Sequence, residues 1–300
     1  MLTPIIYADR LGLSHRPATA RSAKCLDYRK TYMTPPIVTA RLPASGARLR
    51  PLALPDMIRV GRDHDGGYVL PRRLIDAADA VLALGLNDDW SFEEALVAMK
   101  AGLIIHGYDH TVGHRSFARE VAFAMARLPL GKGTISQLSE RWATLKSYNR
   151  FFSAPNRHYA KKITDQPDKP LETDLNGALQ QMDIDQVLIK MDIEGSEYRI
   201  IDQLVDNADR IVGACIEFHD IHPFRMVFNS AIDTLCGPFS IAHAHPNNYG
   251  KISPDGMPDV LEITFVNRRL LCGEPFRGEV RLPALDQAND QRKPDISLLM

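Results

Sequence analysis

Several apolar runs of this chain end on carboxylates. Val187-Leu188-Ile189-Lys190-Met191 leads to Asp192, with Glu194 and Gly195 in the turn beyond. Val81-Leu82-Ala83-Leu84 leads through Gly85, Leu86 and Asn87 to Asp88 and Asp89, and the strand that starts at Leu103-Ile104-Ile105 leads to Asp109, His110 and Thr111. Ile211 to Ile216 runs into Glu217-Phe218-His219. Open α/β sheets bind ligands at the carboxyl ends of their strands, so acids gathered there suit a cationic or hydroxylated ligand. His219 is the first candidate for a general base, because an unperturbed imidazole titrates near neutral pH. His243, His245 and the adjoining Asp220 and His222 are the alternatives. Carboxylates with one or two histidines can also hold a divalent ion, which makes Asp192, Glu217, His219 and His245 an alternative metal set, although no His-x-x-x-His spacing supports it. Plainer roles stand beside these. Asp192 or Glu194 can cap the helix that starts near Ser196, and Asp109 can cap the one after it. Lys190, in an apolar strand, needs a carboxylate partner.

The elements that must position these residues alternate. Val81–Leu84 is short and fully apolar, as strands buried in a parallel sheet are, and the run from Leu103, Val187–Lys190 and Ile211–Ile216 read as further strands. Between them lie helical patterns: Phe92, Ala95, Leu96 and Met99; Phe117, Val121 and Met125; Leu175, Leu179 and Met182; Tyr198, Ile201, Leu204 and Val205; Phe228, Ile232 and Leu235. Ser91 with Glu94 reads as a capping box, and Gly102 as the end of that helix. Phe239 to His245 and Val260 to Val266 complete the sheet, as an antiparallel pair. The expected fold is α/β, a mostly parallel twisted sheet with helices on both faces and an antiparallel C-terminal edge. Residues 130 to 165 show no recognisable third strand.

Two loops deserve a place near the ligand. Gly61-Arg62-Asp63-His64-Asp65-Gly66-Gly67-Tyr68 reads as a hairpin, whose Asp65, Gly66 and Tyr68 can cover a bound molecule. Asn247-Asn248-Tyr249-Gly250 is turn-rich and can grip hydroxyls or merely make the turn.

Three of these stretches, in this order, resemble the FkbM-type methyltransferases, which use S-adenosylmethionine (SAM). They are Leu82–Glu93, His106–Thr111 and Val187–Tyr198, and the likeness spans about residues 56 to 270. It implies a Rossmann-like class I methyltransferase fold and a SAM-dependent transfer of methyl to a hydroxyl, of a sugar or glycan. It implies cofactor contacts from Gly85, Leu86, Asn87, Ser91, Phe92, Asp109, His110, Thr111 and Asp192, with Asp109 on the ribose. Ser91 and Phe92 are explained equally by capping and core packing. Asp192, Glu194 and His219 would serve catalysis; Glu217, His245, Asn247, Asn248 and Tyr68 would face the acceptor. The chain departs from the pattern at His110, where relatives often carry proline. No Gly-x-Gly-x-x-Gly follows the first strand, which weighs against a dehydrogenase using a nicotinamide dinucleotide. A metal-assisted methyltransferase and a non-catalytic glycan-binding relative are the other readings.

Composition bounds the rest. The 300 residues are 45% hydrophobic and carry a net charge of −1, ordinary values for a globular chain and not those of a dedicated nucleic-acid binder. Cys25, Cys215, Cys236 and Cys272 form no Cys-x-x-Cys pair, as expected of reduced cytoplasmic thiols. No apolar run is long enough to span a bilayer and no signal-peptide core is seen, so a cytoplasmic protein is expected. Residues 1–55 are basic and punctuated by prolines, an extension able to pack on the core, meet another copy of the chain in a homo-oligomer, or touch an anionic glycan or lipid head group. Residues 56–283 form the expected catalytic domain and 284–300 a tail.

Overall fold

Uninterrupted apolar runs become the centre of the sheet. The computed structural model describes residues 38–41, 49–271 and 285–299. Most of the basic extension, Cys25 and Cys272 lie outside these residues. In chain order the elements are β1 (Val38–Arg41), β2 (Met57–Val60), β3 (Tyr68–Pro71), α1 (Arg72–Ala77), β4 (Ala80–Leu84), α2 (Ser91–Met99), β5 (Ile104–Tyr108), α3 (His114–Arg127), α4 (Ile135–Phe151) and β6 (Arg157–Tyr159). Then follow β7 (Lys162–Ile163), β8 (Glu172–Thr173), α5 (Leu175–Met182), β9 (Val187–Met191), α6 (Ile201–Asp206), β10 (Ile211–Phe218), α7 (Arg225–Leu235), β11 (Phe239–Pro246), β12 (Leu261–Asn267) and β13 (Ile296–Leu299).

Seven strands make the main sheet, in the order β11-β12-β10-β9-β4-β5-β6. β4 runs parallel to β5 and β9, β10 parallel to β9, and β6 parallel to β5. β12 is antiparallel to both β10 and β11. The chain moves outward from β4 through β5 to β6, then returns to lay β9 on the other side of β4. That reversal opens a crevice at the carboxyl ends of β4 and β9. The fold expected from the resemblance, a Rossmann-like sheet with an antiparallel C-terminal edge, is the one observed.

Side-chain alternation divides the core. Leu82, Leu84, Ile189, Met191 and Ile216 point to the face covered by α5, α6 and α7, while Val81, Leu188 and Cys215 point to the face covered by α1, α2, α3 and α4. Every residue of β4, β9 and β10 is buried. Each fully buried Leu, Ile or Phe contributes roughly 1.5–3 kcal/mol, which fixes where the strand ends emerge.

Three local expectations change. Residues 130–165, unread in the sequence, form α4 and the edge strand β6. The capping box at Ser91 is not made: Trp90 occupies the cap position, the Ser91 amide donates to Asp89 Oδ1 at 3.0 Å, and Glu94 pairs with Arg150. Asp89 sits one residue further back and reaches the free amide first. The helix after Glu197 is broken into a 3-10 turn, Glu197–Arg199, and α6. At the two ends, β1 lies parallel to β13, and Leu49 and Leu54 of the segment read as an extension are buried in the core. Among the described residues no helix is long and apolar enough to cross a membrane.

Candidate functional site

The strand ends of β4, β5, β9 and β10 open onto a cavity of about 430 Å³. Ligand pockets commonly enclose roughly 300–1,000 Å³. Gly85, Leu86, Asn87, Phe92, Asp109, His110, Thr111, Asp192, Glu194, Glu217 and Tyr68 line it, so eleven residues placed by sequence reading converge. Ser91, His219, His245, Asn247 and Asn248 do not line it. Arg62, Asp65 and Gly66 from the β2–β3 hairpin close one side, where Tyr68 meets Phe92 edge-on with ring centroids 5.1 Å apart.

The floor depends on Gly85. Its amide donates to the Tyr108 carbonyl at 3.0 Å, and the Asp192 amide donates to Leu84 O at 2.9 Å, which stitches three strand ends together. Gly85 has φ +82°, and a Cβ there would lie 1.7 Å from Asp192 O. Only glycine fits both the backbone angle and the space.

Asp109 is more committed than the ribose role requires. Oδ2 accepts from the amides of Leu86 and Asn87, both at 2.9 Å, and Oδ1 accepts from the Thr111 amide at 2.7 Å and the Thr111 hydroxyl at 2.5 Å. Four donors fill a carboxylate's acceptor sites. Burial pushes its pKa up, but these hydrogen bonds prevail and hold it below the ordinary value. A ribose hydroxyl must therefore displace one of them, and the direct work of Asp109 is to hold the Leu86–Asn87 turn against β5.

Glu197, part of the opening motif but not singled out in it, organises the β9 turn. Its side chain is fully buried, and Oε1 accepts from the amides of Ile193 and Gly195 at 3.1 and 3.2 Å. Glu197 rather than Asp192 or Glu194 thus ties down this turn. His219 Nδ1 lies 3.0 Å from the same oxygen. The other ring nitrogen, Nε2, faces Glu217 Oε1 at 3.5 Å, Glu194 Oε2 at 3.7 Å and Asp192 Oδ1 at 3.8 Å. Burial lowers the affinity of this imidazole for its proton. The hydrogen bond to Glu197 and the charges of Glu197 and Asp192 outweigh burial and raise the pKa to about 9. With that shift His219 favours the cation near pH 7, which corrects the simple expectation of a free base. Glu217, buried beside Asp192 and Glu262, is shifted upward as well and holds its proton well above the ordinary carboxylate range.

His245, Asn247 and Asn248 are spent elsewhere. His245 Nε2 lies 3.1 Å from Asp295 Oδ1, and Asn248 donates to the Asp290 and Pro294 carbonyls. Asn247 donates to Glu217 Oε1 at 2.8 Å, so it touches the cavity only through that carboxyl. The metal set is correspondingly redrawn. Asp192, Glu194 and His219 offer ligand atoms all within 4.8 Å of one another, Glu217 is adjacent, and His245 is absent from the group.

Several lining residues were missed: Lys161, Lys162 and Ile163, which come from the unread stretch, Tyr108 at the end of β5, and Glu93, read as part of a helix start. Lys190 meets the expectation of a carboxylate partner, with Nζ 3.8 Å from Asp192 Oδ2, and it also donates to Gly85 O at 2.5 Å. Eight carboxylates face the cavity against four Lys and Arg side chains.

No family model and no curated protein matches the sequence. Among solved structures, a fibrillarin/Nop5p complex chain matches at 14% identity over 64% of this chain and 73% of that one, with a TM-score of 0.36. Fibrillarin pre-rRNA processing protein of Methanococcus jannaschii matches at 11% over 64% and 68%, with a TM-score of 0.34. The N-terminal domain of EvdMO1, solved with S-adenosylhomocysteine (SAH) bound, matches at 11% over 65% and 76%, with a TM-score of 0.31. Likeness at this level assigns no activity, and the chemistry has to be read from the side chains.

Proposed function

We propose that this chain is a SAM-dependent methyltransferase that modifies an oxygen, a hydroxyl of a sugar or glycan, after the manner of the FkbM-type enzymes its motifs resemble. One observation carries the reading: the crevice between β4 and β9 is a carboxylate-rich cavity whose floor is a single close-packed glycine rather than a phosphate-binding loop. A donor with a sulfonium and an ammonium, and without phosphate, suits such a lining. When bound, SAM supplies an electrophilic methyl group. The protein's part is to hold donor and hydroxyl in line, from which most of the acceleration can come.

Asp109 sets the Leu86–Asn87 turn under the nucleoside. Asp192 and Glu194 face the transfer region, and Tyr68 and Glu217 bound the acceptor side. His219 starts as an imidazolium among carboxylates. It accepts a hydroxyl proton only after losing its own, which entry of a cationic donor next to Asp192 promotes. Calorimetric titration with SAH should reveal one site, and a folded protein that binds neither SAM nor SAH would defeat the proposal. With methyl-labelled SAM and a mixed glycan pool, label should appear in base-stable ethers. Label found solely on nitrogen would overturn the oxygen assignment.

A second reading adds a divalent ion held by Asp192, Glu194 and His219. It is favoured by the convergence of the three side chains and by Glu197, which fixes Nδ1 and leaves Nε2 turned toward the acids. Such an ion would lower the pKa of an acceptor hydroxyl. Titration with Mn²⁺ decides: His219→Ala and Asp192→Asn should each abolish a wild-type binding isotherm, and a wild-type protein that gives none removes the ion from the scheme.

A further inference from the structure

Glu93 is an oddity of the cavity wall. It lies in the first turn of α2, is 1% exposed, and lines the cavity. Its Oε1 has no hydrogen-bond partner among the described residues. Buried carboxylate oxygens are costly without a donor, so an unfilled one on a residue that lines a cavity marks where a ligand's donor belongs. The nearby cation does not fill the gap: Lys190 Nζ is bonded to Gly85 O and pairs with Asp192, and acts on Glu93 through its charge.

We propose that Glu93 receives the α-ammonium of the donor's amino-acid tail, an assignment that rests on the SAM reading above. The choice among the donor's groups follows from hydrogen bonding. A sulfonium carries charge but no N–H. Ribose hydroxyls and the adenine amine are neutral donors, which leave a buried carboxylate's charge uncompensated. An ammonium offers three N–H donors and a compensating charge. Burial outweighs the charge of Lys190 and raises Glu93 to about 7, with Asp89 and Glu94 adding to the rise. Donor binding then draws a proton off Glu93 near neutral pH.

The test compares two ligands that differ by the amino-acid tail: SAH, and 5′-methylthioadenosine, which lacks the tail. In calorimetric titrations at pH 7.5, Glu93→Gln should weaken SAH about 30-fold, the usual scale for truncating a buried charge pair, and leave 5′-methylthioadenosine within about twofold. Unchanged thioadenosine binding also shows that the variant is folded. Parallel loss of both ligands, or SAH affinity equal to wild type, overturns the assignment. A wild-type protein that binds neither ligand sinks the donor reading itself, a different result from either of these. Should the variant not fold, wild-type affinities suffice: SAH should bind more tightly as pH rises from about 6 to 8 while 5′-methylthioadenosine stays flat, and a flat SAH profile refutes the role.

Discussion

Two sets of buried polar residues meet across one pair of strands, where Glu217 of β10 lies opposite Glu262 of β12. Their states differ. Toward β11 nearly every polar group has its match: His243 with Asp286 at 2.8 Å, His245 with Asp295 at 3.1 Å, Asn289 donating to Glu262 at 2.6 Å, and Asn248 exchanging hydrogen bonds with the 290–294 backbone. Asn289 Oδ1 is the exception. Toward β4 and β9, Oε1 of Glu93, Oδ1 of Asp192 and Oε2 of Glu197 lack a hydrogen-bond partner among the described residues. Residue type does not separate the two, since both are built from acids, amides and histidines. Saturation does. A filled network fastens the 285–299 segment to the sheet, whereas an unfilled one awaits donors from outside the chain.

The largest expected effect falls on the filled side. Burial disfavours the His245 cation, but the hydrogen bond to Asp295 and the ion pair with Glu262 prevail and lift its pKa to about 10. A folded pKa above the unfolded value stabilises fully below about pH 6.5, and the gain fades as pH rises toward 10. His245→Ala should therefore cost on the order of 3–5 kcal/mol in urea unfolding at pH 6, the usual scale for breaking a buried pair, and much less near pH 10. SAH affinity of the folded variant should not move. A stable variant with lost SAH binding would erase the distinction between the two regions.

The unfilled side should respond with the opposite sign. Glu93 is raised from 4.5 to about 7, chiefly by burial. For a carboxylate shifted upward, the native state binds more protons than the unfolded chain between those values, so stability falls as pH rises through that window. Glu93→Gln should then stabilise the ligand-free protein by roughly 2–3 kcal/mol at pH 8 and by little near pH 4. A variant less stable at pH 8 would show that Glu93 holds the fold together rather than waiting for a ligand.

How much of this was legible beforehand depends on the range of the interactions. The sheet was, because β4 is apolar throughout, β9 and β10 are apolar but for Lys190 and Glu217, and the helices keep a 3.6-residue stripe. Gly85, Asp109 and Asp192 were placed at strand ends by the same pattern. α4 was overlooked although Thr134 and Gln137 make a reciprocal capping box, a local signal in plain view. The fate of the histidines was not legible. His243 and His245 find partners 43 and 50 positions away, and His219 is governed by Glu197 through a turn whose closure the sequence does not reveal. Nor could the pattern show that Asp109 is saturated or that Glu93 is bare.

Asp109→Ala falls in the middle of the range. It removes acceptors for three amides and a hydroxyl, two of those amides in the turn under the proposed nucleoside. Orphaned buried donors cost about 1–3 kcal/mol each, relieved here by water from the cavity, so a net loss of about 2 kcal/mol is expected, with SAH binding about tenfold weaker. Because Asp109 acts through the turn, 5′-methylthioadenosine should weaken alongside SAH, unlike the pattern at Glu93. Loss confined to SAH would sever Asp109 from the nucleoside.

Asp89 provides the smallest and most discriminating case, because it lies on the cavity wall and is nevertheless filled. One oxygen caps α2 through the Ser91 amide, and the other meets Arg62 Nε at 3.1 Å. If location decided function, Asp89→Ala would resemble Glu93→Gln and cost about 30-fold in SAH affinity. If saturation decides, the change removes a helix cap and a half-exposed ion pair, about 1 kcal/mol of stability, with SAH affinity altered no more than about threefold. Thermal unfolding and SAH titration of this one variant separate the two rules. A large loss of affinity with unchanged stability would mean that even a fully engaged carboxylate here turns to the ligand, and the contrast between the rim and the β11 network would then be one of position alone.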